Sequence, residues 1–283
     1  MNDPEQDSYE PGSPVPITGT SGELLPASTE CSARPSQFDS FPPWSVGDVA
    51  AVLGFTLAVV MVCSVLALGV ARVVTGSHHV PLGDLASNPL VIIGSQIAAY
   101  PIVIAFMMIR VRNKSGEPFW RAIRWNWPSG RAALFLGAGT IFAFVVEFAS
   151  RYLPIPKSLP VDKFFNETTG AYLMAGFGVT LAPLLEELFF RGMLYPLVRR
   201  ISGVIPAILL TTAAFALIHG AQLGYAWAPL LSIFVVGLVF TLVRERTGSV
   251  AASVLMHCGY NLALFGTLWV ASDGFRHLEK VVD

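Results

Sequence analysis

Charged residues are scarce in this sequence. Only 13% of the 283 residues are Asp, Glu, Lys or Arg, which is about half the share found in a soluble globular domain. The 18 Lys and Arg nearly balance the 19 Asp and Glu, so no basic surface for nucleic acid is predicted. The three cysteines lie far apart, and two of them fall in apolar runs. These shortages argue against a soluble enzyme, a nucleic-acid partner, a disulfide framework and a cysteine-based zinc site.

Long hydrophobic runs take the place of the missing charge. A helix needs about 20 apolar residues to cross the hydrocarbon core of a bilayer. Seven segments meet or approach that length: 46–71, 89–109, 132–150, 171–198, 203–219, 226–243 and 249–271. The segment 203–219 is short, so an eighth span or a re-entrant piece stays open. We therefore predict an all-α, polytopic membrane helical bundle with about seven, possibly eight, transmembrane helices.

Composition divides the chain into four parts. Residues 1–45 are rich in Pro, Ser and Glu and have no periodic apolar pattern, which predicts a disordered arm. Residues 46–168 hold peripheral helices, residues 169–272 hold a core, and residues 273–283 form a tail.

Lys and Arg in the short loops indicate the orientation in the membrane. The loop between the second and third predicted spans contains three tryptophans and six basic residues: Arg110, Arg112, Lys114, Arg121, Arg124 and Arg131. We place this loop in the cytoplasm. Alternation then puts the N-terminus there too, in a protein of the cell membrane in contact with the lipid bilayer.

Three ionisable residues interrupt the fourth predicted span. Each charge near the bilayer centre costs about 2.5 to 3.5 kcal/mol before pairing, so Glu186, Glu187 and Arg191 require partners. Glu187 and Arg191 are four residues apart and can pair directly. Glu186 points elsewhere on the helix and is left for another partner or for chemistry. Pro183 is expected to kink this span.

Two histidines lie in the later spans. His219 ends the fifth span, and His257 lies in the seventh, four residues before Asn261. Counting about 1.5 Å per residue from the helix ends places these groups and Glu186 in one layer of the membrane.

Three motifs now stand in order on successive hydrophobic helices: Glu-Glu-x-x-x-Arg, Phe-x-x-x-His and His-x-x-x-Asn. Together they resemble the CPBP family of intramembrane endopeptidases, the CAAX prenyl protease and bacteriocin-processing group also called Abi. The resemblance covers about residues 170–271 and implies eight spans. It also implies that Glu186 and His219 activate a water, that His257 and Asn261 form the oxyanion hole, and that no cofactor is needed.

Supporting roles follow for the remaining motif residues. Glu187 and Arg191 are expected to form a structural clamp, and Phe215 to pack against the site. An ion network without catalysis is the plain alternative for the three charges. A proton-coupled transporter or a non-catalytic membrane scaffold would also bury such residues.

A zinc-dependent intramembrane metalloprotease remains a further alternative. Glu186, His219 and His257 could supply two imidazoles and one carboxylate, although the sequence lacks His-Glu-x-x-His. In either mechanism the expected partner is a membrane-associated peptide or protein substrate. The resemblance allows prenylated CAAX tails, bacteriocin leader peptides and membrane-anchored proteins, and the sequence selects none of them.

Overall fold

The structure is a computed structural model that describes residues 41–74, 76 and 80–277. Every regular element of this described part is helical. The α-helices in chain order are α1 (Val46–Val74), α2 (Leu82–Ala86), α3 (Pro89–Ser115), α4 (Phe119–Ala122), α5 (Ala132–Ser150), α6 (Thr168–Val179), α7 (Leu181–Glu187), α8 (Tyr195–Ser202), α9 (Val204–Ile218), α10 (Trp227–Thr247) and α11 (Val250–Ala271). A 3-10 helix, Pro160–Phe165, precedes α6, and a π-helix, Leu188–Leu194, joins α7 to α8.

The predicted membrane bundle is confirmed. Six helical segments are long and apolar enough to cross a membrane: Val46–Val74, Pro89–Ser115, Ala132–Ser150, Thr168–Ser202, Trp227–Thr247 and Val250–Ala271. The remaining predicted span, the fifth at 203–219, corresponds to α9, an apolar helix of 15 residues. At about 1.5 Å per residue, α9 is shorter than the hydrocarbon core, and a count of about seven spans is compatible with this arrangement.

The fourth span differs from the single helix predicted at 171–198. Helix α6 ends at Val179, and Thr180 leaves helical geometry with φ −119° and ψ −77°. Pro183 explains the position of this break, because a proline ring clashes with the carbonyl four residues before it, here that of Val179. The chain continues through α7 and the π-helix into α8, so the charged motif lies on a broken and locally widened helix.

Helices α5 and α11 cross with their backbones in contact. A Cβ atom added at Gly139 would lie against the backbone of Met256, and one added at Gly259 would lie against the backbone of Leu136. The hydroxyl of Thr140 donates to the carbonyl of Gly259 at 3.1 Å. Small residues permit such close packing of membrane helices. This crossing fixes the part of α11 that carries His257, two residues before Gly259.

We expect Gly259→Ala to lower the unfolding temperature in detergent. The added methyl group would overlap the backbone of Leu136, and overpacking of this kind costs about 1 to 3 kcal/mol or more. Gly266→Ala is the matched control, since nothing lies within 4 Å of a Cβ at that position of the same helix. A Gly259→Ala protein as stable as the Gly266→Ala protein would contradict the close crossing.

Helix α1 packs on α3 at the periphery of the bundle. The rings of Phe55 and Phe106 stack at 4.0 Å between centroids, and the hydroxyl of Ser64 donates to that of Ser95 at 3.2 Å. Only 11% of the most apolar 18-residue stretch of α1 is buried inside the protein, so most of the surface of this helix is available to lipid.

The ends of the described chain pack against the bundle. Residues 1–40 of the predicted arm lie outside the described residues, but residues 41–45 belong to the packed structure, and Trp44 is only 1% exposed. The prediction of a disordered arm therefore does not hold for residues 41–45, and it stays a prediction for residues 1–40. The predicted tail 273–283 begins with packed residues as well, since Thr168 donates to the carbonyl of Phe275 at 3.1 Å. Residues 278–283 lie outside the described part.

Candidate active site

Glu187 lies at the centre of a buried polar cluster. Its carboxylate accepts hydrogen bonds from Arg191 Nη1 at 2.8 Å, Ser253 Oγ at 2.7 Å and His257 Nδ1 at 3.0 Å. The side chains of Glu187 and Arg191 are both fully buried. The predicted pairing of these two residues is therefore present. The clamp reaches further than predicted, because Glu187 also binds two residues of α11.

The Arg191 guanidinium is held on several sides. Besides Glu187, it donates through Nη2 to the carbonyl of Gly237 at 2.8 Å and through Nε to Thr241 Oγ1 at 3.3 Å. Its Cζ atom lies 4.5 Å from the centroid of the Phe215 ring, a cation–π distance. Gly237 makes room for this stack, since a Cβ there would come within 2.8 Å of the ring of Phe215.

The imidazole of His257 lies between the two adjacent carboxylates. Its Nδ1 faces Glu187 Oε1 at 3.0 Å, and its Nε2 faces Glu186 Oε2 at 3.9 Å. An ionised carboxylate can only accept hydrogen bonds, so the hydrogen-bond network assigns a proton to Nδ1. Glu187 therefore orients the ring, and Nε2 is directed toward Glu186.

The two glutamates differ in accessibility. The side chain of Glu186 is 19% exposed, whereas that of Glu187 is 0% exposed. Part of the Glu186 side chain thus lies at the surface of the packed protein, whereas none of the Glu187 side chain does. The chemical role expected for Glu186 stays a prediction.

His219 directly follows α9 and is half-buried. Its Nδ1 lies 2.8 Å from the carbonyl oxygen of Phe215. Because a carbonyl only accepts hydrogen bonds, Nδ1 carries the proton in the neutral ring, and Nε2 keeps a lone pair. Within the described residues, no direct hydrogen bond or ion pair joins His219 to Glu186.

Phe215 contacts both histidines. Its ring centroid lies 4.9 Å from that of His219 and 5.9 Å from that of His257. The ring is 1% exposed, and it also stacks on Arg191. The predicted position of Phe215 against the site is thus observed. One aromatic ring fixes the spacing of three polar groups.

Asn261 lies one turn beyond His257 on α11. Its Nδ2 donates to the carbonyl of Gly178 at 2.6 Å, which ties α11 to the end of α6 just before the break at Thr180. A primary amide nitrogen carries two hydrogens, so one remains for a further acceptor.

The donor set proposed for zinc does not gather into a metal centre. Across residues 41–74, 76 and 80–277, no group of three or more His, Cys, Asp or Glu side chains is placed to hold a metal ion. Glu186, His219 and His257 are therefore not grouped as metal ligands in this part of the chain, and both the zinc alternative and independence from cofactors stay predictions.

Three polar partners of the cluster escaped sequence analysis: Ser253, Gly237 and Thr241. Ser253 lies four residues before His257, and Gly237 lies four residues before Thr241, so each pair shares a helix face. That spacing was the only available signal. Ser and Thr are also common between membrane helices as simple hydrogen-bonding groups, and the spacing alone could not distinguish the two roles.

The π-helix that carries Arg191 is held by side chains of other segments. Two of its carbonyls accept hydrogen bonds from side chains: that of Arg191 from Arg244 Nε at 3.0 Å, and that of Met193 from Trp44 Nε1 at 3.0 Å. Bonding from residue i to i+5 is rare and recurs at functional sites. The turn that carries Arg191 is therefore held in an uncommon geometry by residues of other segments.

The polar cluster lies within a segment of the chain that matches a known protein family. Residues 168–263 match the family model described as type II CAAX prenyl endopeptidase, Rce1-like. The matched segment runs from the start of α6 into α11 and contains all three motifs. No curated protein and no solved structure matches the chain. The resemblance to CAAX-type intramembrane endopeptidases is confirmed for this segment, which carries a hydrolase domain in an integral membrane protein.

Proposed function

We propose that this protein hydrolyses peptide bonds of membrane-associated peptides or proteins at the site formed by Glu186, His219, His257 and Asn261. The observation that carries the proposal is the position of His257 between a buried carboxylate and an accessible one. Glu187 orients the ring from one side, and Glu186 lies on the other. An oriented imidazole beside an accessible carboxylate is typical of general acid–base catalysis.

Glu186 acts with His219 on the attacking water. The carboxylate takes a proton as the water oxygen bonds to the scissile carbonyl carbon. The Nε2 lone pair of His219, left free by the bond from Nδ1 to Phe215, accepts a hydrogen bond from the same water. When the tetrahedral intermediate collapses, the carbon–nitrogen bond breaks, and Glu186 returns the proton to the leaving amine.

His257 and Asn261 stabilise the oxyanion. In this mechanism the His257 ring carries both protons, so that Nδ1 donates to Glu187 and Nε2 donates to the oxyanion. The second amide hydrogen of Asn261 is the other donor. Preorganised donors of this kind are worth about 10²- to 10³-fold in kcat each.

The matched family and the lipid-facing bundle support a prenylated C-terminal peptide as the substrate class. A prenylated C-terminal peptide would hold its lipid in the bilayer and present its backbone to Glu186. Membrane-anchored proteins and leader peptides are the other classes that the site could accept, and they serve as comparison substrates.

Cleavage by protein in liposomes tests the proposal. We expect purified wild-type protein to cleave membrane-anchored peptides, with the prenylated C-terminal peptide cleaved fastest, and a chelator to leave the rate unchanged. His219→Gln should reduce kcat by up to about 10²-fold, because the attacking water loses the imidazole that positions it. His277→Gln is the control, because His277 lies beyond α11 and outside the matched segment.

Mass spectrometry of the products gives the cleavage position. Loss of all products on chelation would indicate a metal-dependent reaction and overturn the mechanism. Equal products from wild type and His219→Gln would remove His219 from the site. Absence of products with every substrate class would favour a transporter or a scaffold.

A further inference from the structure

Residues 41–45, here called the strap, precede α1 and pack against the π-helix. Trp44 is 1% exposed, and its indole N–H donates to the carbonyl of Met193 at 3.0 Å. Phe41 meets the Trp44 ring edge-on at 5.8 Å. The strap thus satisfies a carbonyl of the helix that carries Arg191.

Helix α8 holds the strap from a second side. The guanidinium of Arg200 donates to the carbonyls of Pro42 and Trp44, the latter at 3.1 Å. Two backbone carbonyls of the strap are therefore fixed by one side chain. These bonds hold the backbone that carries the Trp44 side chain.

The strap also contacts the loop that caps α11. The Cζ atom of Arg124 lies 4.1 Å from the ring centroid of Phe41. The carbonyl of Arg124 accepts from the amide of Val250 at 3.2 Å, and Ser249 Oγ donates to the carbonyl of Asn126. This loop thus satisfies the start of α11, about two turns before His257.

These contacts join two elements that hold opposite sides of the candidate site. The π-helix follows Glu187 and contains Arg191, whereas α11 contains His257 and Asn261. The strap touches the π-helix through Trp44 and the cap of α11 through Phe41. It lies outside the matched residues 168–263, so the matched segment does not supply this connection.

We propose that Trp44 is a positioning residue, and that the strap keeps Glu187 and Arg191 in register with His257. The inference rests on the proposed function. Trp44 touches no reacting atom and acts through the carbonyl of Met193. If that carbonyl lost its donor, the π-helical turn would lose a bond that stabilises it over ordinary α-helical bonding. Return to α-helical bonding would rotate the flanking residues relative to α11.

Trp44→Phe tests the inference, because it retains an aromatic ring and removes the N–H. We expect kcat of the reconstituted enzyme to fall by about 10- to 100-fold, as misplacement of about 1 Å has that effect, with KM within about twofold. Trp120→Phe, a 41% exposed tryptophan on α4, should leave both constants unchanged. Arg200→Gln should reproduce the fall in kcat through loss of its two bonds to the strap.

Hydrogen exchange, which does not depend on activity, distinguishes failure of this inference from failure of the proposed function. Hydrogen exchange at Leu188–Leu194 should be faster in Trp44→Phe than in wild type and unchanged in Trp120→Phe. Lower stability of Trp44→Phe and Arg200→Gln with unchanged kcat per folded molecule would overturn the inference, since it would show a merely structural role. Unchanged exchange would overturn it as well. If wild type cleaves nothing, the proposed function fails, while faster exchange would still support positioning of the π-helix by the strap.

Discussion

Glu186→Gln is expected to reduce kcat for peptide cleavage by about 10²- to 10⁴-fold, the contribution of a positioned general base. KM should change little, because the amide keeps the shape of the carboxylate. Stability should not fall, since Glu186 is 3.9 Å from His257 Nε2 and its negative charge lies beside that of Glu187. Single-turnover cleavage in liposomes and thermal unfolding in detergent measure the two effects separately.

Glu147→Gln on α5 provides the matched control, because it removes another acidic charge from a membrane helix outside the cluster. We expect this variant to cleave at the wild-type rate. Full activity of Glu186→Gln would remove Glu186 from the mechanism. Equal losses in both variants would show that the assay reports helix packing and not the base.

Arg191→Met is expected to destabilise the protein by about 3 to 5 kcal/mol, the cost of leaving a buried charge without its partner. The substitution removes hydrogen bonds to Glu187, Gly237 and Thr241, and Glu187 would keep only its contacts with α11. Denaturant unfolding in detergent micelles measures this change. Activity should be lost along with the folded protein.

A second substitution tests whether charge is the cause. Adding Glu187→Gln to Arg191→Met should restore about 0.5 to 3 kcal/mol, the coupling energy typical of groups in direct contact. Arg199→Met is the control, because Arg199 pairs with Glu245 and its side chain is 45% exposed, and an exposed pair contributes about 0 to 1 kcal/mol. Strict additivity of the two substitutions at the cluster would contradict the ion pair.

These predictions assign different roles to the neighbouring residues Glu186 and Glu187. Replacing Glu186 should remove activity and spare stability, whereas replacing Glu187 should affect both. The difference arises from their partners, since Glu187 accepts three hydrogen bonds and Glu186 remains partly exposed.

Much of the bundle could be predicted from the sequence, because span length is set by bilayer thickness and apolar runs are long. Breaks within a span were harder to locate. Pro183 signalled a kink, but the break falls at Thr180, and the π-helix has no sequence signal of its own. Its geometry depends on donors such as Trp44 and Arg244, which come from distant segments.

The candidate site could also be predicted only in part, because contacts between distant segments leave no signal in the sequence. The pairing of Glu187 with Arg191 followed from spacing within one helix. The bond from His257 to Glu187 joins residues 70 positions apart, and no spacing rule reaches that far. The donation from Asn261 to Gly178 likewise depends on how α6 ends. The residue types were readable, but their pairing across helices was decided by packing.

The π-helix between α7 and α8 amounts to one extra residue inserted in a helix. Deleting a single residue from Leu188–Leu194 would restore ordinary α-helical bonding and turn α8 by about 100° relative to α7. Arg200 would then face away from the strap that it binds. Apart from Arg191, this stretch should therefore tolerate changes of side chain more readily than changes of length. A deletion or insertion here would rotate one half of the fourth span relative to the other.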